Sequence, residues 1–437
     1  MFASRPVRWS ELTDERKRAL LRRPSLRSRP GLAARVGRIM GQVREGGDRA
    51  LKRLTKRYDR VSLESFAVEP GEIERAPSRL PAEDRTALER AARQIEAFHL
   101  RQVPVPIDLE VCPGVRCMRQ PRAVARVGLY APGGTAPLPS TVLMLGVPSK
   151  IAGCPLRILC TPPGKNGTAD PSILAAARLC GIERVFTVGG AQAVAAMAYG
   201  TESVPKVDKI FGPGNAWVTQ AKILAAQDPE GAACDMPAGP SEVLVLADAA
   251  ADASFVASDL LSQAEHGGDS QVVLVATDPG LLKRVVKETE RQLKSLPRKA
   301  AAGEALRRSL LILAEDADEA LDISNMYAPE HLIVQMKDPG ALVPGIRNAG
   351  SVFLGPWSPE SAGDYASGTN HVLPTYGYAR AYGGVAVESF MKQITFQELS
   401  AEGLMDIGPT VERLAALEGL GAHKKAVSIR LKALRRR

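Results

Sequence analysis

Long apolar runs are missing from this 437-residue chain: none reaches the roughly 18 unbroken apolar residues of a membrane span, so no membrane partner is expected. The N-terminus, MFASRPVRWSELTDERKRALLRRPSLRSRP, is basic but leads into no apolar stretch. It does not read as a secretory signal, and a cytoplasmic location is the expectation. Cysteine is sparse. The six, at positions 112, 117, 154, 160, 180 and 234, form neither a CxxC pair nor a zinc-ribbon spacing and read as reduced thiols, with Cys154 as a small buried hydrophobe. Aromatic residues are few, at 5%, and none interleave the basic runs Arg16 to Arg29 and RLKALRRR that carry much of the net charge of +9. A nucleic-acid partner is therefore not expected. No GxGxxG follows any candidate strand, which argues against a standard dinucleotide grip.

What is present is an α/β pattern long enough for two or three domains. After a mainly helical first hundred residues, apolar runs alternate with helix-like stretches. The first series is VARVGLYAP, RILCTPP, RVFTVGG and KIFGPG; the second is SEVLVLAD, QVVLVATD, LLILAED, EHLIVQM and SVFLG. Strands alternating with helices imply parallel sheets with right-handed crossovers. The expected fold is α/β, with two incomplete Rossmann-like domains. Residues 1–27 form a small helical segment packing with the tail, and 28–129 with 242–385 form the main domain. Residues 130–241 are an inserted unit, and 386–437 a helical tail too small to fold alone.

Histidine is also scarce, with five in all. His266 follows Gln263 by three residues in LSQAEHGG, a spacing that puts both on one helix face and can present two ligands to one metal. Glu330 and His331 stand where a helix gives way to an apolar strand in SNMYAPEHLIVQM; a His suits proton transfer near neutral pH, and a Glu can activate water. Asp364 and His371 share the polar loop ESAGDYASGTNHVLPTYG, while His423 lies on the tail five residues after Glu418. Gln, His and Asp are acceptable zinc ligands. Spacing alone does not show that they converge, and in isolation a dipole-facing helix-end His and a solvated loop pair are the favoured readings of His266 and of Glu330-His331.

The segments VGLYAPGGTAPLPSTVLMLGVPSKIAGC, VGGAQAVAAMAYGTESVPKVDKIFGPGNAWVTQAK, DMPAGPSEVLVLAD, DLLSQAEHGGDSQVV, ISNMYAPEHLIVQ and SAGDYASGTNHVLPTYG resemble histidinol dehydrogenase signatures and occur in that family's order. The resemblance covers nearly the whole chain, through AHKKAV. It implies one zinc per subunit on Gln263, His266 and Asp364, with His423 of the partner subunit, so that the tail makes a homodimer with shared sites. It implies L-histidinol as substrate, contacted by this ligand set and by Ser241, His331, His371 and Glu418. NAD is implied against the first α/β unit, with Tyr130, Gln192 and Asn215 as contacts. Gly189-Gly190 and Gly212-Pro213-Gly214 would supply turns whose free N–H groups receive pyrophosphate.

The implied chemistry is a two-step oxidation through a bound aldehyde, with His331 in proton transfer and Glu330 activating water for the second step. The competing expectations are a related zinc dehydrogenase of another small alcohol, such as a sulfonated diol, and a silent zinc- or nucleic-acid-binding relative. Glu418, His423 and DMPAGPSEV argue against the first, and the Glu330-His331 pair against the second.

Overall fold

The computed structural model describes residues 2, 6–23, 31–133, 136–237 and 239–436, so residues 1, 3–5 and 24–27 of the expected N-terminal segment, and residues 24–29 of its basic run, lie outside the described residues. The chain begins with β1 (Val7–Arg8) and α1 (Asp14–Leu20), then α2 (Leu32–Tyr58), α3 (Pro70–Arg75) and α4 (Ala82–His99). An antiparallel hairpin follows, β2 (Ile107–Cys112) and β3 (Val115–Ala123). Next come β4 (Arg126–Tyr130), α5 (Pro139–Ile151), β5 (Leu156–Thr161), α6 (Pro171–Leu179), β6 (Arg184–Thr187), α7 (Gly190–Tyr199), β7 (Lys209–Phe211), α8 (Ala216–Gln227) and β8 (Ala233–Cys234). These strands make a parallel five-stranded sheet in the order β6-β5-β4-β7-β8. The order reverses direction between β4 and β7, and the crevice at such a switch point, beyond the strands' carboxyl ends, is where open α/β sheets bind ligands.

The second series is β9 (Glu242–Ala247), α9 (Ala253–Ala264), β10 (Gln271–Ala276), α10 (Pro279–Leu293), α11 (Lys299–Leu306), β11 (Leu310–Leu313), α12 (Ala317–Tyr327), β12 (His331–Gln335), β13 (Ser351–Leu354) and α13 (Glu360–Tyr365). The tail is β14 (Met391–Leu399), α14 (Ala401–Leu417) and α15 (Gly421–Leu434). The second sheet has six parallel strands, β1-β11-β10-β9-β12-β13. Strands β9 and β10 are buried at every position because both faces are covered: Val243 and Val245 join the core under α9 and α10, while Leu244 and Leu246 join Trp9 and the α12 side. Such strands read as continuous apolar runs rather than alternating ones.

Three expectations are corrected. The N-terminal segment, expected beside the tail, instead supplies the edge strand of the six-stranded sheet, with Val7 opposite Ile312 and Trp9 in the core. A two-residue strand has no readable periodicity. The helices of 28–129, expected to complete the second sheet, pack on the five-stranded one: Val36, Val43, Leu51 and Leu54 of α2 share a core with Ile158 and Val194, and Ile95 of α4 one with Leu129. The first α/β unit is thus not an insertion that begins at 130. A helix's apolar stripe tells which face is buried but not against what. Finally, the tail opens with a nine-residue strand pairing antiparallel with β3, and only then turns helical. Neither face of β14 is buried beyond its first residue, so no hydrophobic alternation marked it.

Candidate functional site

Glu330 and His331 are placed by the stop of α12. Ala328 ends that helix in the left-handed region (φ 55°), Pro329 blocks its continuation, and His331 opens β12 opposite Val243 of β9 and Ser351 of β13. The pair therefore sits at the amino ends of the central strands, opposite the end that switch-point sheets ordinarily use. Glu330 is 7% exposed and His331 3%.

Two helices bring further polar groups to the same place. The start of α9 is capped by Asp252, and its apolar residues Val256, Leu260, Leu261 and Ala264 bury one face; Gln263 and Asp259, one turn apart, are buried with them. Gln263 Nε2 donates to Glu360 Oε1 at 2.5 Å and contacts His331 Nδ1 at 2.8 Å, while its Oε1 is buried without a hydrogen bond. The short helix α13, within a stretch expected as loop, carries Glu360 and Asp364 one turn apart on the same face. Gly363 lets α13 lie directly on β13, because a Cβ there would meet the Phe353 ring at 2.5 Å.

His331 Nδ1 lies 3.1 Å from the Glu242 carbonyl oxygen and 3.5 Å from Glu330 Oε2, and Nε2 lies 3.6 Å from Asp364 Oδ1. Burial disfavours the charged ring, but the carboxylates of Glu360, Glu330 and Asp364 outweigh it and hold its pKa well above the ordinary value. Burial, reinforced by Asp364 and Glu330, pushes Glu360 well up. Asp364 goes the other way: His331, His371 and His266 overcome its burial and lower it. Burial lowers His371, whose Nδ1 donates to the Asp364 carbonyl at 2.8 Å and whose Nε2 lies 3.4 Å from Thr141 Oγ1 of α5. That contact joins the two α/β halves at the site.

Of the expected site residues, Gln263, Glu330, His331, Asp364 and His371 converge. His266 is on the exposed turn after α9, within electrostatic reach of Asp364, and Ser241 directly precedes β9. Glu418 and His423 do not reach the site in their own chain; both are exposed on the tail. Glu360, Glu242 and Arg23 were missed. A carboxylate four residues before Asp364, and one opening an otherwise apolar strand, were the available signals for the first two.

Carboxylates of Glu242, Glu330, Glu360 and Asp364 thus crowd a buried volume against few cations, an arrangement that calls for further positive charge. The ligand atoms of His331, Glu360 and Asp364 lie within 4.8 Å of one another, close enough to share an ion. The unpartnered Gln263 Oε1 offers a further oxygen beside them. The donors fit a divalent metal.

At the carboxyl edge of the five-stranded sheet, Tyr130 ends β4, Gln192 lies in the first turn of α7 and Asn215 caps α8, so all three line the switch-point region. Two of the expected N–H groups are already used, since Tyr130 Oη accepts from Gly190 N at 3.0 Å and Asp235 from Gly212 N at 2.8 Å, and Asn215 Oδ1 accepts from the neighbouring Trp217 and Val218. Gly212, at φ 126°, passes so close to Tyr130 that a Cβ would meet its carbonyl oxygen at 2.2 Å.

The profile of the histidinol dehydrogenase family matches residues 22–431. The chain belongs to that family. Its relatives include the histidinol dehydrogenases of Vibrio parahaemolyticus, 56% identical over 430 residues (98% of this chain and 99% of that protein), and of Vibrio vulnificus, 56% identical over 433 residues (99% and 100%). The crystal structure of the Elizabethkingia anophelis histidinol dehydrogenase superposes with a TM-score of 0.93 at 47% identity, covering 97% of each chain. The comparisons lend no support to a sulfonated-diol dehydrogenase. Membership of the histidinol dehydrogenase family makes the protein an oxidoreductase, and among the described residues no helix is long and apolar enough to cross a membrane.

The buried Asp259, beside this family site, yields a test of its electrostatics. Its Oδ2 accepts from Gln335 Nε2 at 3.1 Å, and burial raises its pKa from 3.8 to about 6. A folded-state value above the unfolded one means stability that is present below the unfolded pKa and lost as pH rises through about 6, a cost of at most roughly 3 kcal/mol at pH 8. Asp259→Asn is therefore expected to raise the urea midpoint at pH 8 and to converge with the parent near pH 4. Equal midpoints at pH 8 would contradict the desolvation of this carboxylate.

Proposed function

We propose that this protein oxidises L-histidinol twice, through a bound aldehyde, to L-histidine, using NAD as hydride acceptor and one zinc per subunit. The carrying observation is the buried Glu330-His331 pair at the head of β12, directly against Gln263 and Asp364. Zinc fits Gln263, His266 and Asp364 of one subunit with His423 of the partner subunit; when bound, it supplies a fixed charge that orients the substrate's nitrogen donors. NAD fits against Tyr130, Gln192 and Asn215.

The carboxylates that raise the His331 pKa make it a stronger base once deprotonated, and in that form it takes the hydroxyl proton in the first oxidation, as hydride leaves the carbinol carbon. Its Nδ1 is steadied by the Glu242 carbonyl, and Nε2, buried without a hydrogen bond, faces the cleft beside Asp364. Retaining the aldehyde keeps it from side reactions. Glu330 then deprotonates the water that adds to the aldehyde, and loss of a second hydride from the hydrate gives the carboxylate. His371, neutral and tied to both halves, lines the substrate space with Ser241.

A second copy of the chain is the partner. The tail exposes Met405, Val411, Leu414, Leu417 and Ile429, and the neighbouring strands expose Leu109, Val111, Phe396 and Leu399, an apolar surface that a symmetry mate would bury. The partner tail would also bring Glu418 to the substrate. The free thiols among the described cysteines fit a cytoplasmic location.

The test is NADH formation from L-histidinol, with other small alcohols as controls, by the parent and by Glu330→Gln. The parent should yield two NADH per histidinol. Glu330→Gln preserves shape but removes the base for water, so aldehyde oxidation should fall by roughly 100-fold or more, and alcohol oxidation far less. Equal, mild losses in both steps would sink the assignment.

A further inference from the structure

Arg23 takes no part in the chemistry above, yet its side chain is only 5% exposed. Nε donates to Glu242 Oε1 at 3.0 Å, and Nη2 donates both to Glu242 Oε2 at 2.9 Å and to the Ala328 carbonyl at 3.1 Å. The guanidinium also stacks 3.7 Å from the centroid of the Tyr327 ring. Planar, bidentate pairing of this kind is geometry that a lysine does not reproduce.

Glu242 passes that constraint to the catalytic pair. Its Oε1 accepts a second hydrogen bond, from Tyr376 N at 3.0 Å. Its backbone N–H donates to Glu330 Oε2 at 2.8 Å, and its carbonyl oxygen faces His331 Nδ1. Ala328, two residues before Glu330, has a φ of 55°, a conformation non-glycine residues seldom adopt unless their surroundings impose it. Arg23 therefore grips both sides of Glu330: the strand residue that bonds its carboxylate and the turn that carries its backbone.

We infer that Arg23 and Glu242 are positioning residues for the Glu330 carboxylate, so that the N-terminal segment, threaded along the edge of the six-stranded sheet, sets the aim of the base in the second oxidation. This rests on the reading of Glu330 as that base. Glu330 Oε2 is held by the hydrogen bond from Glu242 N and by His331 Nδ1 at 3.5 Å, so a small turn of the Ala328-Pro329 backbone swings its carboxylate away from the water it must deprotonate. His331 is held additionally by its place in β12 and its contact with Gln263 and responds less.

Removing Arg23 alone strands a buried carboxylate and endangers folding. The variant to use is the pair Arg23→Met with Glu242→Gln, which removes both charges at similar volume. Supplied with histidinaldehyde, it should oxidise about tenfold or more slowly than the parent, since a displacement near 1 Å costs that much or more. Its first hydride transfer from histidinol, its KM for NAD and its zinc content should stay near parental values. Arg23→Lys should restore only part of the loss. In a Glu330→Gln background the paired substitution should add nothing, because the residue through which it acts is already disabled.

Similar losses in both half-reactions, or an additive loss on top of Glu330→Gln, would overturn the positioning role. Glu330→Gln measured alongside separates the two levels. If it also spares aldehyde oxidation, the reading of Glu330 is wrong and this inference falls with it. If it impairs that step while the paired variant does not, the positioning role alone is overturned.

Discussion

His266→Asn protein is expected to retain little zinc after dialysis and to lose activity in proportion, whereas His331→Asn should keep its zinc and lose activity all the same. The contrast discriminates between two ways of holding the metal. One set is Gln263, His266 and Asp364 with His423 of the partner subunit; the other is the cluster of His331, Glu360 and Asp364, whose ligand atoms lie within 4.8 Å of one another. Both use Asp364. They differ in what is left for proton transfer, because a metal on His331 would occupy the ring nitrogen that the first oxidation needs. His266 lies on the exposed turn after α9, three residues past Gln263, with its own N–H donated to the Gln263 carbonyl. Its imidazole is within electrostatic reach of Asp364 and contributes to lowering that carboxyl's pKa. Loss of a ligand nitrogen should weaken zinc binding by more than the roughly 10- to 100-fold that loss of an outer-shell partner costs, read as metal per subunit after dialysis. Loss of a general base should lower the rate by about 100- to 10,000-fold with the metal retained. If His331→Asn comes out metal-free and His266→Asn does not, the buried cluster is the zinc site and the acid-base role of His331 is lost.

The parts of this arrangement that were legible in the sequence share a physical cause. Runs such as SEVLVLAD and QVVLVATD announce themselves because parallel strands covered on both faces contain almost nothing polar. Glu330 and His331 stand out for the same reason, as a polar pair at the mouth of such a run. Glu242 carries the same signal, but a single carboxylate at a strand end is common on solvated edges and does not by itself mark a site. Glu360 was hidden by composition: proline, serine and glycine in SPESAGDY read as a loop, whereas Gly363 serves close packing on Phe353. No local pattern announces the contact of Arg23 with Glu242 across 219 positions, and the basic run around Arg23 reads as a solvated stretch. The allotment of α2 and α4 to the five-stranded sheet was equally silent, since each helix shows one apolar face and either sheet offered a surface for it.

Mixing inactive His331→Asn protein with inactive His423→Asn protein, under conditions that exchange subunits, is expected to restore activity. Within its own chain His423 is exposed on α15, whereas the site it is assigned to lies at the amino ends of β9 and β12. The tail has little core of its own: β14 is exposed along nearly its whole length, and α14 presents Leu414 and Leu417 to solvent at 55% and 67% exposure. An apolar arm of this kind gains by lying on another copy, and a two-fold pairing makes the exchange mutual, so each copy completes the other's site. In a mixed dimer one site carries both substitutions and is dead. The other takes His331 from one chain and His423 of the partner subunit, and so contains every residue. Random exchange makes half the dimers mixed, so the mixture should approach roughly a quarter of parental activity, with neither variant active alone. Activity should appear at the rate of subunit exchange, followed independently by mass labelling of one variant, while zinc per subunit in the mixture stays unchanged, because exchange leaves the number of His423 side chains the same. A mixture that stays inactive after exchange is complete would mean that each chain builds its site unaided. His423 would then have to reach its own Asp364 by a rearrangement of α15 against α14.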